Sequence, residues 1–440
     1  MIRGLFLLWL GLAAVSARAD IDLTGQLESE WAYGYEDDVA QKWDFKLTPE
    51  LRSDLGEGID LTVRLRARWD AEDRLEPGRP SQDSRATHNR RAFSGSRAEL
   101  ELREFYITTA IGEAFLTLGK QQVVWGKADG LKVLDVVNPQ SFREFILDDF
   151  DESRIPLWTL NLEVPLQPGW EGGPQDLVAQ ILWVPDPTAH DIPQDGALYA
   201  FTTPRIVPRP PPGVPVRLND AALPDSLVSD SDWGLRLSAF WAGWDLTLNY
   251  LYRYNDIPIL FRQLTSQGVE VTPGFRRTHL AGGSFSNAFG NLTVRGELAY
   301  TSDVYLPTRN RLDADAVVPV SETATVLGLD WFGFTDTVLS LQIFHSALDD
   351  DHAGLYRKQH ETSATFLLRR SFWNETLTAE ALFIHATEEG DSLSRFKLSH
   401  DYSDALELWL GLDIFSGDRN GLFGQFDERD RLVAGLRYGF

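Results

Sequence analysis

No cysteine occurs in the 440 residues, and methionine occurs once, at the first position. Without thiols there is no disulfide framework, no thiol nucleophile, no cysteine-ligated zinc or iron–sulfur centre and no lipidated N-terminal cysteine. Cations are also scarce: 41 Lys and Arg face 65 Asp and Glu, a net charge of −24. That excess excludes nucleic acid as a partner, because phosphate binding needs clustered bases. Beyond the N-terminus no stretch offers the ~20 consecutive apolar residues of a membrane-spanning helix. G-x-S-x-G, H-E-x-x-H, the P-loop and G-x-G-x-x-G are all missing. No catalytic residue is nominated, no cofactor or metal is expected, and the expected class is not an enzyme.

What is present begins with Arg3, an apolar run from Leu5 to Val15, and Ala17-Arg18-Ala19. A charged start, an apolar stretch too short to span a bilayer and a small-x-small site read as a secretory signal peptide over residues 1–19. The remainder, 20–440, then belongs to an extracytoplasmic fluid or to an outer membrane.

The dominant pattern has period two. From Ile59 to Asp70 every odd position is apolar and every even one polar, which a strand sorts onto two faces and a helix would scatter. Similar alternation marks Trp43 to Arg52, Trp244 to Tyr254, Leu292 to Tyr300, Thr323 to Trp331, Thr337 to His345 and Trp373 to His385. These runs reach ~10 residues, the length of a tilted membrane crossing. The whole chain yields about eighteen strands (16–18). Their connections alternate between short turns and long stretches, namely 71–97, 122–155, 185–231, 255–274, 302–320 and 346–360. Loops sorted to one side identify a transmembrane antiparallel β-barrel.

Aromatics agree. Trp31, Tyr33, Trp43 and Trp69 fall at long-loop ends of strands, and Trp241, Trp244, Trp331 and Trp373 at short-turn ends, as two interfacial girdles require. The last strand alternates Leu432, Ala434, Leu436, Tyr438 and Phe440 with other residues. A C-terminal Phe on such a strand resembles the signal that outer-membrane barrels present to their assembly machinery, so that machinery and outer-membrane lipid are the expected partners.

If apolar positions face lipid, their alternates line the lumen. Arg64, Arg66 and Arg68 then lie beside Asp44, Lys46, Glu50 and Arg52 of the preceding strand and Glu99, Glu101 and Arg103 of the next. Two readings stand: a wall of opposed charges that stabilise one another, or an arginine ladder that draws anions through a constriction.

Segment 122–155 breaks the pattern. Its half-apolar sequence is too hydrophobic for free solvent, and Ser141-Phe142-Arg143-Glu144 reads as a capping box opening a short helix through Phe150. The inner wall is the place to bury it, as an inserted loop or partial plug constricting the lumen, with Trp125, Lys127, Asp129, Asp135, Asn138, Arg143, Glu144 and Arg154 as its polar and anchoring candidates. A folded external cap is the alternative. Leu118-Gly119-Lys120-Gln121, Trp125-Gly126, Asp129-Gly130, Val133 to Pro139, Arg143-Glu144 and Arg154-Ile155-Pro156 together resemble the signature of the bacterial outer-membrane proteins catalogued as domain of unknown function 1302 (DUF1302). That resemblance covers roughly residues 115–160. It implies an outer-membrane barrel working beside envelope transporters for hydrophobic compounds, and it carries no catalytic residues.

Ten of the 22 prolines lie between Pro185 and Pro224, including Pro210-Pro211-Pro212, and read as an extended external loop over 185–231. Acidic runs at Asp349-Asp350-Asp351 and around Asp148 lack the Gly and distal Glu of a calcium loop. The expected function is passage of a small solute or a hydrophobic or amphiphilic compound. The rivals are a closed barrel serving as a binding or interaction component of an envelope transport complex and, behind it, an outer-membrane enzyme.

Overall fold

The computed structural model describes residues 21–440 apart from 129, 168, 171, 209–212, 225, 311–313 and 350–353. The expected signal peptide over 1–19, Asp129, Pro210 to Pro212 and Asp350-Asp351 of the acidic run therefore lie outside the described residues. Eighteen long strands form the wall: β1 (Ile21–Gly34), β2 (Val39–Asp54), β3 (Ile59–Asp70), β4 (Ala98–Ile111), β5 (Ala114–Gln121), β6 (Leu157–Pro165), β7 (Gln175–Val184), β8 (Asp232–Trp241), β9 (Trp244–Tyr254), β10 (Arg277–Phe289), β11 (Leu292–Pro307), β12 (Val317–Trp331), β13 (Thr337–Leu348), β14 (His360–Phe372), β15 (Leu377–Ala386), β16 (Asp391–Ser403), β17 (Leu406–Ser416) and β18 (Arg431–Gly439).

Each strand pairs antiparallel with its sequence neighbours, and β18 returns to β1 over Gln26↔Gly439 to Gly34↔Arg431, so no edge is left open. At the seam Gly25 and Phe440 exchange both backbone hydrogen bonds, at 2.9 and 3.0 Å. The Phe440 ring covers Gly25, where a Cβ would meet it at 2.5 Å. No described helix is long and apolar enough to cross a membrane.

Alternation sets the two faces. Leu235, Leu248, Leu298, Leu327, Leu341 and Ile343 stand exposed on the outside, while their neighbours Asn249, Glu297, Val326 and Gln342 are buried within. Trp31 pairs with Trp43 and Phe45 with Trp69 toward the long-loop end, and Trp241 pairs with Trp244 beside the two-residue turn 242–243.

The loops sort as expected, with differences in extent. Connections 308–316 and 349–359 are shorter than the expected 302–320 and 346–360, because β11 and β12 stay paired out to Pro307↔Val317 and β13 continues to Leu348. Four short strands were not legible: Ala92–Ser94 beside β4, and an external sheet of Ile259–Thr265, Gly268–Gly274 and Val216–Leu218. The capping-box helix over 141–150 does not form. Phe145 takes a positive φ of 56°, and among the described residues of the segment the α-helical turn is Phe150–Ser153. Glu144, the residue that would close the box, is drawn to Lys42 and Arg431 instead.

Segment 185–231 is not a simple extended loop. Asp186, Thr188, Ala189, Asp191, Ala197, Tyr199 and Thr203 are buried, held by Arg85 to Asp191 at 2.6 Å and by the Tyr199 hydroxyl to Gln41 at 3.1 Å.

Candidate functional site: the segment between β5 and β6

Residues 122–156 lie against inward-facing side chains of strands all around the wall. Asn138 ties the segment's start to its end: its Oδ1 accepts from the Val123 N–H at 2.7 Å and its Nδ2 donates to the Ile155 carbonyl at 3.0 Å. Trp125 is 1% exposed, and its indole N–H donates to Gln180 of β7 at 2.8 Å. Val123, Trp125, Val133, Leu134 and Val137 pack on Leu182, Leu251, Leu280, Ala299, Val326 and Phe344, which point inward from β7 and β9–β13. Burying several such side chains, each worth ~1.5–3 kcal/mol, fixes this half of the segment.

Glu297 of β11 accepts from three backbone N–H groups, those of Lys127, Ala128 (3.0 Å) and Leu134 (2.9 Å). Lys127 reaches Asp245 of β9 at 2.5 Å. An acid at an inward position of β11, between Arg295 and Ala299 on the same face, was the available signal for this clasp.

The second half is fixed by charge. Arg143 contacts Asp44 of β2 at 2.8 Å, Asp70 of β3 at 2.9 Å and Glu76 at 3.2 Å. Glu144 lies 2.6 Å from Lys42 and 2.8 Å from Arg431, which also holds Asp413 at 2.8 Å. Burial alone would raise the Glu144 pKa. Lys42, Arg431 and Arg143 overcome it and keep the carboxyl well below its usual range. Arg154 binds Asp135 at 2.8 Å, and Lys132 shares that carboxylate at 2.9 Å. Phe145 enters an aromatic cluster with Tyr199, Phe415, Phe423 and Phe426 under the long loops.

The wall residues are brought together as ion pairs. Arg66 lies 2.6 Å from Glu101 and 3.3 Å from Glu152, Arg68 is 3.2 Å from Glu99, and Arg64 binds Glu50 and approaches Glu104 at 3.5 Å. An array of unpaired arginines is therefore not what the lumen presents; the opposed-charge wall is. Arg52 also pairs with Glu50, at 2.6 Å, but its side chain is 66% exposed near the short turn 55–58. Arg103 is the extra residue of a bulge opposite Arg64 and Leu65, which turns both it and Glu104 inward. It donates to the Asp151 carbonyl at 2.8 Å.

Sequence reasoning missed Arg85 and Arg91, buried cations of connection 71–97. Arg85 bridges Asp191 and Glu101, and Arg91 bridges Glu76 and Glu99 at 2.8 Å each. Their partners come from distant segments, so spacing carried no signal. No group of three His, Asp or Glu placed for a metal occurs among the described residues.

Two cavities flank the segment. One of about 270 Å³ is lined by Leu147, Asp148, Asp149 and Glu152 of the segment and by charged side chains of β1, β2 and β14–β18. The other, about 380 Å³, lies toward the long loops among Lys132, Val133 and Val136 and the inner faces of β9–β12.

A family model described as "Protein of unknown function (DUF1302)" matches residues 34–326. The chain belongs to this family. No curated protein matches its sequence. Solved structures similar to this DUF1302 barrel include OccAB3 of Acinetobacter baumannii, at 12% identity and TM-score 0.52, covering 96% of this chain and 99% of that one. OpdK of Pseudomonas aeruginosa with vanillate and OccK2 (OpdF) of the same organism with glucuronate each show 10% identity and TM-score 0.51, covering 96% of this chain and 98% of theirs. At these identities the likeness is one of fold, that of an outer-membrane barrel.

Proposed function

We propose that this DUF1302 protein is a channel of the outer membrane, in which segment 122–155 narrows the passage of a small solute. The observation that supports the reading best is the combination of a closed wall, a charge-lined interior and two cavities lined by different stretches of one anchored segment. A segment held at both halves, by Asn138 and Glu297 on one side and Arg143 and Glu144 on the other, sets a fixed aperture. The neighbours' fold points the same way. The paired luminal charges of this chain offer no free cation wall for carboxylates such as the vanillate and glucuronate of the neighbours.

Purified protein in a planar bilayer tests the proposal. We expect discrete conductance steps that grow when residues 127–150 are replaced by a short Gly/Ser linker. Absence of conductance from both proteins, each shown to be folded, overturns it. The dense clamping of the segment favours, as a second reading, a closed barrel that binds a component of an envelope transport complex; that outcome of the same recording supports it. On either reading Phe440, paired at the seam, is the proposed contact for assembly.

A further inference from the structure

The cavity toward the long loops has a chemistry unlike the rest of the interior. Apolar side chains make up much of its wall, namely Val136 from the anchored segment, Ile206 and Ile257 from the long connections, and Leu280, Val304 and Val317 from β10–β12, and they stand among charged groups that are paired except for the exposed Asp303. Its volume of about 380 Å³ is that of a small-molecule site, which typically spans ~300–1,000 Å³ with apolar walls and a few polar groups.

The lining cations are already neutralised. Arg205 lies 2.7 Å from Glu361, and Arg357 lies 2.5 Å from Glu322 and 3.0 Å from Glu361. Arg253 pairs with Asp256 and donates to the Val136 carbonyl at 2.7 Å, and Lys132 is 2.9 Å from Asp135. His190 has its Nδ1 taken by the Gln140 N–H at 2.8 Å, and burial pushes its pKa down to about 4, so the ring adds no charge near neutrality. An anion entering here would have to break an existing pair or lose its hydration uncompensated, and a cation meets Asp256 and Glu322 already paired and Asp303 exposed to water, where attraction is screened. A neutral molecule meets apolar walls and loses little.

We propose that this chamber is a binding site for an uncharged, predominantly apolar small molecule. The proposal deepens the channel reading, on which it rests for the claim that the bound molecule is cargo. Binding is therefore measured without flux.

The test uses the full-length barrel in nanodiscs, with empty nanodiscs subtracted, and three probes of one shape: 2-naphthalenemethanol, 2-naphthoate and 2-naphthylmethylammonium. Equilibrium dialysis should show saturable binding of the neutral probe at least tenfold tighter than of either ion. Ile257→Asp, on a half-exposed loop position, should weaken it tenfold or more, and Val304→Asp likewise. Lys397→Gln, in the other cavity, should leave it unchanged. Heat-modifiable gel mobility verifies that each variant is folded, and Ile257→Asp lies outside the wall if Val304→Asp fails to assemble. No saturable binding, or an ion bound as tightly as the alcohol, overturns the proposal. Conductance recorded on the same preparation separates the two readings: a conducting barrel that binds nothing sinks this inference alone, whereas binding without conductance leaves the site and removes the channel.

Discussion

Arg143 is held by three carboxylates from three parts of the chain, and the geometry leaves little room for a substitute. Its side chain is 4% exposed, with Asp44, Asp70 and Glu76 within 3.2 Å. Asp44 and Glu76 have further cations nearby, Arg68 at 3.9 Å and Arg91 at 2.8 Å, but Asp70 has no other described ion pair. Removing a buried partner leaves an uncompensated charge and costs ~3–5 kcal/mol. Arg143→Met should therefore lower the temperature at which the barrel loses compact gel mobility and expose the segment to protease. Asp70→Asn in the same protein should restore part of the loss; strictly additive losses would show that the pair is not coupled.

His190 gives a pH dependence of known sign. Its folded pKa of about 4 lies below the ordinary 6.5, with burial as the main cause. The unfolded chain therefore takes up the proton first. The contribution to stability is fully present above about 6.5 and is lost as pH falls through that interval toward 4. Protonating Nδ1 also abolishes its acceptance from the Gln140 N–H, which joins the 122–156 and 185–231 connections. Hydrogen-exchange protection of the Gln140 amide should fall across that window in the wild type and stay level in His190→Gln. A flat wild-type profile would refute the assignment.

At the scale of elements, the strands were legible because lipid on one side and water on the other impose a strict period of two. Ile59 to Asp70 keeps that period without interruption and forms β3. β4 does not: the bulge at Arg103 shifts outward exposure from Leu100 to Phe105, a change of parity that the sequence does not flag. The external hairpin of Ile259–Thr265 and Gly268–Gly274 was hidden for a different reason, since it lies outside the closed wall and its alternation is confined to Val269–Thr272. The failed helix over 141–150 shows local capping signals losing to buried charge pairing. The outer face supplies a direct test. Leu248, 66% exposed at the middle of β9, faces the bilayer core, so Leu248→Arg should cost ~2–4 kcal/mol in unfolding from lipid vesicles. Leu55→Arg, in the turn between β2 and β3, should cost only ~0–1 kcal/mol. Equal costs would contradict the assignment of depth.

For the whole molecule, the acidic excess is a poor guide to the passage. The chain carries −24, yet the polar cavity is lined by seven basic and seven acidic side chains. Of the two readings of the wall, the opposed charges form and an unpaired arginine ladder does not, because adjacent strands bring Glu99, Glu101 and Glu50 level with Arg68, Arg66 and Arg64. The sequence placed these acids and bases on neighbouring strands and left both readings open; the register of three strands decides between them. What remains to act on a passing ion is therefore small. In a potassium chloride gradient the reversal potential should lie far below the Nernst limit of either ion, despite the net charge. Lys397 makes the sharpest probe. It lines the polar cavity, rests over the Trp409 ring at 5.2 Å and has no ion pair among the described residues. Lys397→Glu changes the lining by two charges without stripping a carboxylate of its partner, and should move the reversal potential toward cations. Arg66→Gln should shift it less and destabilise the fold more, because Glu101 and Glu152 then lose a paired cation. A wild-type channel already strongly selective for one sign would mean that ions pass by a route other than this balanced cavity.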